Sequence, residues 1–139
     1  MVIALTLMAP PSRPFSGPAL VDALAQTGME HGDMEIFHRY AEDTPGQPLF
    51  SIANVVEPGT IDPAKRDFKS PGLVVFMQLP NGTKPTKAFK DMLDTVDRLA
   101  HLLGGIVCDN RRRPLDAAGL QALWDDVLAF DRQGRTARV

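Results

Sequence analysis

The most strand-like segment of the chain is Leu73-Val74-Val75-Phe76-Met77-Gln78-Leu79, and apart from Gln78 both of its alternating sets of side chains are apolar. Successive residues of a β-strand point to opposite faces of the sheet. One face therefore receives Leu73, Val75, Met77 and Leu79, and the other receives Val74 and Phe76. An antiparallel sheet covered by helices on one side normally shows polar residues on the other side. The segment thus predicts a sheet strand whose second face is also apolar.

Two further predicted strands, 2–7 and 49–56, have the same two-sided pattern. We expect the larger apolar sets to pack against helices, which leaves a smaller set on the open side of the sheet. That set consists of Val2, Ala4, Ala53, Val55, Val74 and Phe76, together with Met34 and Ile36 from a strand predicted over 34–40. Small alanines beside larger side chains predict a groove. A contiguous apolar patch usually marks an interaction site, unless a misplaced element or a second copy of the chain covers it.

Helix and strand signals alternate along the rest of the chain. Helices are predicted over 16–28, over 86–104 and after the helix cap Asp116. Residues 106–109 and 112–115 are short strand candidates around a tight turn, and 57–71 is predicted as a loop. Short connections between consecutive strands imply antiparallel pairing. We therefore expect an α+β fold in which three helices pack on one face of about six strands.

The length and charge of the chain limit its function. Its 139 residues fit one domain, 1–139, whose last residues, 135–139, should fray. A strand that begins almost at residue 1 suggests a domain that belongs to a longer protein. With 15 Lys and Arg against 17 Asp and Glu, the net charge of −2 argues against a domain built mainly to neutralise nucleic-acid phosphates. The single cysteine, Cys108, excludes an internal disulfide and a cysteine-cluster zinc site.

No combination of side chains in the sequence predicts a catalytic, cofactor or metal site. His31, His38 and His101 have no metal-ligand spacing, so we expect each to be a surface or structural histidine. Cys108 ends an apolar strand candidate and is expected to be a small buried side chain rather than a nucleophile. The basic run Arg111-Arg112-Arg113 is either a solvated turn or a contact for an anion or a partner. The sequence therefore favours a binding module over an enzyme.

Five segments spread over nearly the whole chain carry a family resemblance. They are Gly32-Asp33-Met34-Glu35-Ile36-Phe37-His38-Arg39-Tyr40, Leu49-Phe50-Ser51-Ile52-Ala53-Asn54, Glu57-Pro58-Gly59-Thr60, Pro71 to Pro80, and Gly104-Gly105 with Asp109 to Arg112. Together they resemble the C-terminal domain family of the bacterial cell-division protein ZipA. The resemblance implies a split β-α-β fold, with a six-stranded antiparallel sheet backed by three helices. It also implies that the domain, which we expect to be monomeric, binds the C-terminal tail of the tubulin-like protein FtsZ in a shallow apolar groove on the open sheet face.

The resemblance assigns the groove position by position. It maps the groove onto Val2, Met34, Ala53, Val55, Val74 and Phe76, with a rim position at Glu57, while Ala4 and Ile36 are added from the alternation alone. Where the family usually has methionine, threonine and lysine, this chain has Val55, Val74 and Glu57. The resemblance therefore implies a reshaped groove with a reversed rim charge.

The resemblance also implies a setting for the domain. An N-terminal membrane helix and a long linker, both outside this chain, would tether FtsZ filaments to the cytoplasmic face of the bacterial inner membrane at the division septum. Three alternatives stay open. Binding of single-stranded nucleic acid would need more aromatic side chains than Phe76 on the open face. A small-molecule enzyme or sensor would need titratable groups there, and a related domain could take a different peptide partner.

Overall fold

The computed structural model describes residues 1–41, 46–65 and 67–137, with side chains up to Gln133. In chain order its strands are β1 (Val2–Met8), β2 (Phe15–Ser16), β3 (Glu30–His31), β4 (Phe37–Tyr40), β5 (Pro48–Asn54), β6 (Lys69–Ser70), β7 (Gly72–Gln78) and β8 (Ile106–Cys108). Its helices are α1 (Gly17–Gln26), α2 (Pro85–Leu103) and α3 (Ala117–Ala137), and a short 3₁₀ turn spans Asp33–Glu35.

The main sheet within the described residues has six antiparallel strands in the order β3-β4-β5-β7-β1-β8. β2 and β6 pair separately as a small ribbon. β7 lies between β5 and β1, and its side chains Leu73, Val75 and Met77 are fully buried on one face. This arrangement confirms the predicted α+β class and places the predicted 73–79 strand inside the sheet.

One buried cluster joins that face of the sheet to the helices. Its fully buried members include Leu5 of β1, Ile52 of β5, Leu24 of α1, Phe89 of α2 and Val127 of α3. Burial of apolar surface stabilises a fold by about 25 cal/mol per Å². Because α1, α2 and α3 all contribute to the same cluster, they lie on the same face of the sheet. The described residues place no helix on the opposite face.

The helix boundaries follow their capping residues. Ser16 Oγ accepts a hydrogen bond from the Ala19 amide at 3.3 Å, and Asp116 Oδ1 accepts one from the Gly119 amide at 2.7 Å. Such side-chain acceptors satisfy backbone donors that the first helical turn leaves free. α2 ends at Gly104, whose φ of 73° lies in the left-handed region that favours glycine. The predicted caps of α1 and α3 and the predicted end of α2 are confirmed.

The strand predicted over 34–40 is wrong in its first half. Met34 and Glu35 have φ values of 62° and 58°, which are left-handed, and they belong to the 3₁₀ turn. β4 therefore begins only at Phe37. A strand requires negative φ values throughout, so the apolar alternation of Met34 with Ile36 is accidental.

The tight turn predicted between residues 109 and 112 is present, but the strand predicted over 112–115 is reduced to short pairing with β8, in which the Leu115 amide donates to the Val107 carbonyl at 3.1 Å. The Asp109 carboxylate accepts hydrogen bonds from the amides of Arg111 and Arg113, which bends the chain into a turn directly after β8. Only an isolated bridge between Cys108 and Pro114 follows. The sixth strand of the main sheet is instead the two-residue β3 at the other edge.

Two further predictions concern segments outside the sheet. The loop predicted over 57–71 contains β6, which pairs with β2, so the loop is partly ordered as a ribbon. α3 is helical to Ala137, and residues 138–139 lie outside the described residues. The fraying expected for 135–139 stays a prediction.

Candidate functional site

The face of the sheet opposite the helices brings together the side chains predicted for the groove. Directly opposed residues of neighbouring antiparallel strands share a face. The strand register therefore sets two rows across β5, β7 and β1, namely Ser51–Phe76–Ala4 and Ala53–Val74–Thr6. We call the surface formed by these two rows and by Val2 the open face. Four of the predicted groove residues, Ala4, Ala53, Val74 and Phe76, lie in direct register there.

Exposure varies across the open face. Val2 is 56% exposed at the strand end, whereas Ala4, Val74 and Phe76 are half-buried. Ala53 is buried, because the backbone near Gly59 approaches it: a Cβ at Gly59 would lie 3.9 Å from the Ala53 Cβ. Small alanine side chains thus lie beside larger apolar ones, which is what a shallow apolar groove requires.

Val55 and Glu57 lie at one end of the open face, just beyond β5. The Val55 amide donates to the Gly72 carbonyl at 3.0 Å, so Val55 continues the sheet beside β7 although it is outside the strand. The chain then returns to β5, where the Asn54 amide donates to the Gly59 carbonyl at 2.9 Å. Val55 is half-buried and Glu57 is exposed. This end of the face therefore offers apolar surface together with a carboxylate.

Met34 and Ile36, the two predicted groove residues before β4, differ sharply in exposure. Met34, at the left-handed position of the 3₁₀ turn, is 81% exposed. Ile36 is buried, yet it does not belong to the core cluster on the helical side. Met34 therefore presents an accessible apolar side chain, whereas Ile36 has little surface left for a ligand.

Two polar residues of this face are missing from the sequence prediction. His38 pairs with Ser51 in the register, and both side chains are 5% exposed. His38 Nδ1 lies 2.7 Å from Ser51 Oγ, and His38 Nε2 lies 2.8 Å from the Asp33 carbonyl oxygen. The expectation of a structural histidine is confirmed. The alternation that places Ile36 and Ala53 on this face also places His38 and Ser51 there, two residues away. The sequence therefore contains the signal for both polar residues.

The apolar surface also extends beyond the predicted set. Met8 pairs with Gly72 on one side and Ile106 on the other. A Cβ at Gly72 would lie 2.6 Å from Met8 Sδ, so the glycine leaves room for the methionine side chain. Ile106 is 50% exposed. Met8 continues the alternation of Ala4 and Thr6 one residue beyond the predicted strand 2–7, whereas only the strand register, which the sequence does not contain, places Ile106 beside it.

Cys108 lies on the same side of the sheet but is buried. It pairs with Thr6, whose hydroxyl donates to the Asp109 carbonyl at 2.7 Å. Burial, and secondarily the Asp109 carboxylate, raises the pKa of the Cys108 thiol. Because the thiolate is the reactive form of cysteine, a raised pKa makes this thiol a poor nucleophile. The expectation of a small buried side chain is confirmed.

The arginine run forms a turn held by Asp109. Its carboxylate accepts hydrogen bonds from the Arg113 amide at 3.0 Å and the Arg111 amide at 2.8 Å, and it lies 3.3 Å from Arg113 Nε. The hydrogen bond from the Arg113 amide, then that from the Arg111 amide and the Arg113 charge, hold the pKa of Asp109 below its usual range. Arg111, Arg112 and Arg113 are all exposed. The turn is solvated, and a partner contact there stays a prediction.

The described residues contain neither a metal-ligand cluster nor a membrane-spanning helix. Residues 1–41, 46–65 and 67–137 contain no group of three or more His, Cys, Asp or Glu side chains placed to hold a metal ion. None of the helices in these ranges is both long enough and apolar enough to cross a bilayer.

Three relatives of this chain share the name cell division protein ZipA. Cell division protein ZipA of Xanthomonas euvesicatoria is 34% identical over 134 residues, which are 95% of this chain and 55% of that protein. The ZipA protein of Vibrio cholerae is 39% identical over 133 residues, covering 93% and 45%. That of Marinobacter nauticus is 34% identical over 139 residues, covering 99% and 41%. The chain therefore spans about half the length of the curated relatives it matches.

A family model identifies the domain. The model described as "ZipA, C-terminal FtsZ-binding domain" matches residues 1–125, which include every strand and two of the helices in the described part of the chain, together with the start of α3. The match agrees with the resemblance found in the sequence. The chain belongs to the family of ZipA C-terminal FtsZ-binding domains.

Proposed function

We propose that this domain binds the C-terminal tail of FtsZ on its open face and serves as an adaptor in cell division. The apolar open face is the observation that carries the proposal. Phe76, Val74 and Ala4 keep part of their surface exposed in the middle of a sheet whose other face is fully packed. A contiguous apolar surface on a folded domain usually marks an interaction site. The family description names FtsZ as the partner of the family, and the resemblance implies that its C-terminal tail is the bound segment.

The topology of the sheet argues for binding through side chains. β7 is paired with β1 over its whole length and with β5 over 73–76, so the backbone groups of Val74 and Phe76 are already used. A peptide on the open face therefore cannot be added as another strand over these residues, and it must lie on top of them. Apolar side chains of the tail would then be the anchors, as in other groove-binding modes. Such binding should depend only mildly on salt.

The proposed contact set follows the predicted groove. It consists of Val2, Ala4, Met34, Ile36, Ala53, Val55, Glu57, Val74 and Phe76. Phe76 and Val74 would receive the apolar anchors, and the buried Ala53 and Ile36 would support the floor. Met34 and Glu57 would flank the peptide. No catalytic role is proposed for His38 or Cys108, whose side chains are buried.

The expected affinity is micromolar. If the tail removed about 500 Å² of apolar surface from water, the gross gain would be roughly 12 kcal/mol. Ordering a disordered tail and losing rigid-body freedom would cancel much of that gain. Many copies along a filament would then raise the overall binding strength by multivalency. Attachment to the cytoplasmic face of the inner membrane at the septum would come from segments outside these 139 residues.

Calorimetric titration with a synthetic FtsZ C-terminal tail peptide tests the proposal. We expect saturable binding with a micromolar Kd and a negative heat-capacity change, because apolar burial has that signature. A scrambled peptide of the same composition is the control. A peptide concentration of about 1 mM detects any binding free energy more favourable than about −4 kcal/mol. The absence of both heat and spectral change at that concentration contradicts the proposal.

A further inference from the structure

We propose that His38 is a positioning residue that holds the 3₁₀ turn, Asp33–Glu35, in the conformation that presents Met34 at the edge of the open face. This inference rests on the proposed function and deepens it. The resemblance assigns Met34 to the groove and gives His38 no role. The link between them comes from the hydrogen bonds beneath the turn.

The turn adopts a backbone conformation that its residues do not favour. Met34 and Glu35 are consecutive non-glycine residues with φ values of 62° and 58°. The left-handed region is uncommon for such residues, and two in succession persist only where the surroundings hold them. Something outside the turn must therefore select this conformation over an extended strand.

Hydrogen bonds from outside the turn supply that selection. His38 Nε2 lies 2.8 Å from the Asp33 carbonyl oxygen, and the Ile61 amide donates to the Glu35 carbonyl at 2.9 Å. The Gly32 amide closes the base by donating to the Ile36 carbonyl at 3.0 Å. Among the described residues, His38 supplies the one side-chain contact of these three, since the other two hydrogen bonds join backbone groups.

The register connects the turn to the proposed peptide site. His38 of β4 pairs with Ser51 of β5, and Ser51 pairs with Phe76 of β7. Neighbouring strands lie about 4.8 Å apart, so His38 is about 10 Å from Phe76 along one row of the sheet. His38 is 5% exposed while Met34 is 81% exposed. The turn therefore borders this row of the sheet through the His38 ring, and Met34 is its exposed apolar side chain.

The geometry also fixes the ring tautomer. A carbonyl oxygen only accepts hydrogen bonds, so Nε2 must carry the hydrogen that it donates to Asp33. In the neutral ring Nδ1 then accepts from the Ser51 hydroxyl at 2.7 Å. The donor at Nε2 is the group that holds the turn. The contact at Nδ1 orients the ring.

Two substitutions separate these contacts. Glutamine places its amide nitrogen near the position of Nε2, so His38→Gln keeps a donor for the Asp33 carbonyl. Asparagine is shorter and reaches only the position of Nδ1, so His38→Asn loses that donor while remaining polar. We expect His38→Asn to weaken binding of the FtsZ tail peptide by about tenfold. His38→Gln should rescue most of that loss.

Amide hydrogen exchange measures the turn itself, without any peptide. In His38→Asn the amides of Glu35 and Ile61 should lose about tenfold or more of their protection, whereas Ile52 and Val75 of the central strands should keep theirs. Uniform loss of protection would show general destabilisation and would overturn the positioning role. A long-range ¹H–¹⁵N spectrum of the wild-type ring should show hydrogen on Nε2, and hydrogen on Nδ1 alone would also overturn it.

The outcomes separate the inference from the proposed function. Loss of Glu35 and Ile61 protection together with weakened binding in His38→Asn, both restored in His38→Gln, supports the inference. Loss of protection with unchanged binding overturns it, since the turn would then not contribute to the site. A wild-type chain that binds no tail peptide contradicts the proposed function and the role of the turn in binding. Exchange at Glu35 and Ile61 would still show whether His38 holds the turn.

Discussion

Phe76 concentrates the proposed interaction in one side chain. It lies between Ala4 and Ser51 in the middle of the open face, and it is half-buried although the opposite face of β7 is fully packed. A side chain with this placement has most of its contacts with the sheet surface and leaves surface free for a partner. Substitution of Phe76 should therefore affect binding more than folding.

Phe76→Glu should abolish detectable binding of the FtsZ tail peptide. A carboxylate in the groove would have to lose water without gaining a partner when the peptide binds, which opposes association. Leu102→Glu is a matched control, because Leu102 is an exposed apolar side chain on α2, away from the open face. Calorimetry gives the affinities and thermal unfolding verifies both folds. Normal binding by Phe76→Glu would show that the face has been assigned wrongly.

At the scale of elements, cap residues and two-residue alternation predict much of the fold. Ser16 and Asp116 give the starts of α1 and α3, and the alternation in β7 gives both faces of the sheet. Register is different, because it arises from pairing between distant segments. The alternation of Val2 and Ala4 extends to Met8, one residue beyond the predicted strand, whereas the place of Ile106 next to it could not be predicted.

The turn at Met34 was missed, and the turn predicted between residues 109 and 112 extends into the strand predicted after it, for a related reason. The turn at Met34 is selected by His38 and Ile61, which lie outside it, and not by a glycine or proline within it. The turn after β8 depends on the Asp109 carboxylate, which competes with strand pairing for the amides of Arg111 and Arg113. The conformational preferences of the turn residues themselves reveal neither effect.

The α3 cap gives a prediction for one element. Asp116→Ala should lower the free energy of unfolding by about 1 kcal/mol, because the Gly119 amide would lose its acceptor at 2.7 Å. Asp116→Ser, which keeps a side-chain oxygen at the cap, should recover most of the loss. Urea unfolding monitored by circular dichroism measures both variants. Equal stability of Asp116→Ala and the wild type would argue against a working cap.

The turn after β8 should respond to acid. The pKa of Asp109 is lowered in the folded chain, chiefly by the hydrogen bond from the Arg113 amide and then by that from Arg111, whereas in the unfolded chain it is ordinary, about 3.9. The charged carboxylate therefore stabilises the folded turn above the ordinary pKa. This contribution is lost as the pH falls through the lowered value. Carboxyl ¹³C titration measures it, and titration of Asp109 above pH 4 would contradict the assignment.

At the scale of the whole molecule, the chain packs its helices on one face of a sheet that is apolar on both faces. The packed face accounts for the core, which joins β1, β5 and β7 to α1, α2 and α3. The other face keeps apolar surface that the described residues do not cover with a helix. Folding and the proposed binding thus use opposite faces of the same strands. The effect of a substitution on binding, at the open face, can therefore be measured separately from the effect of a core substitution on stability.

The middle of α3 contributes to the core although the family model stops at residue 125. Val127 is fully buried and Phe130 packs against the same cluster. Ending the chain after Asp125 should lower the free energy of unfolding by about 3 kcal/mol or more, since a fully buried apolar side chain contributes about 1.5–3 kcal/mol. Ending it after Gln133 is the control and should change stability by less than about 0.5 kcal/mol. Urea unfolding of two equally stable truncated chains would contradict this packing.

The central claim is that the open face receives the FtsZ tail, and chemical-shift mapping tests it most directly. The isotope-labelled chain is titrated with the tail peptide, and its amide and methyl resonances are followed. The largest changes should fall on Ala4, Val55, Val74 and Phe76, while the α2 residues Lys87 and Asp91 on the helical side should stay unchanged. Changes concentrated on α2, with the open face silent, would contradict the account.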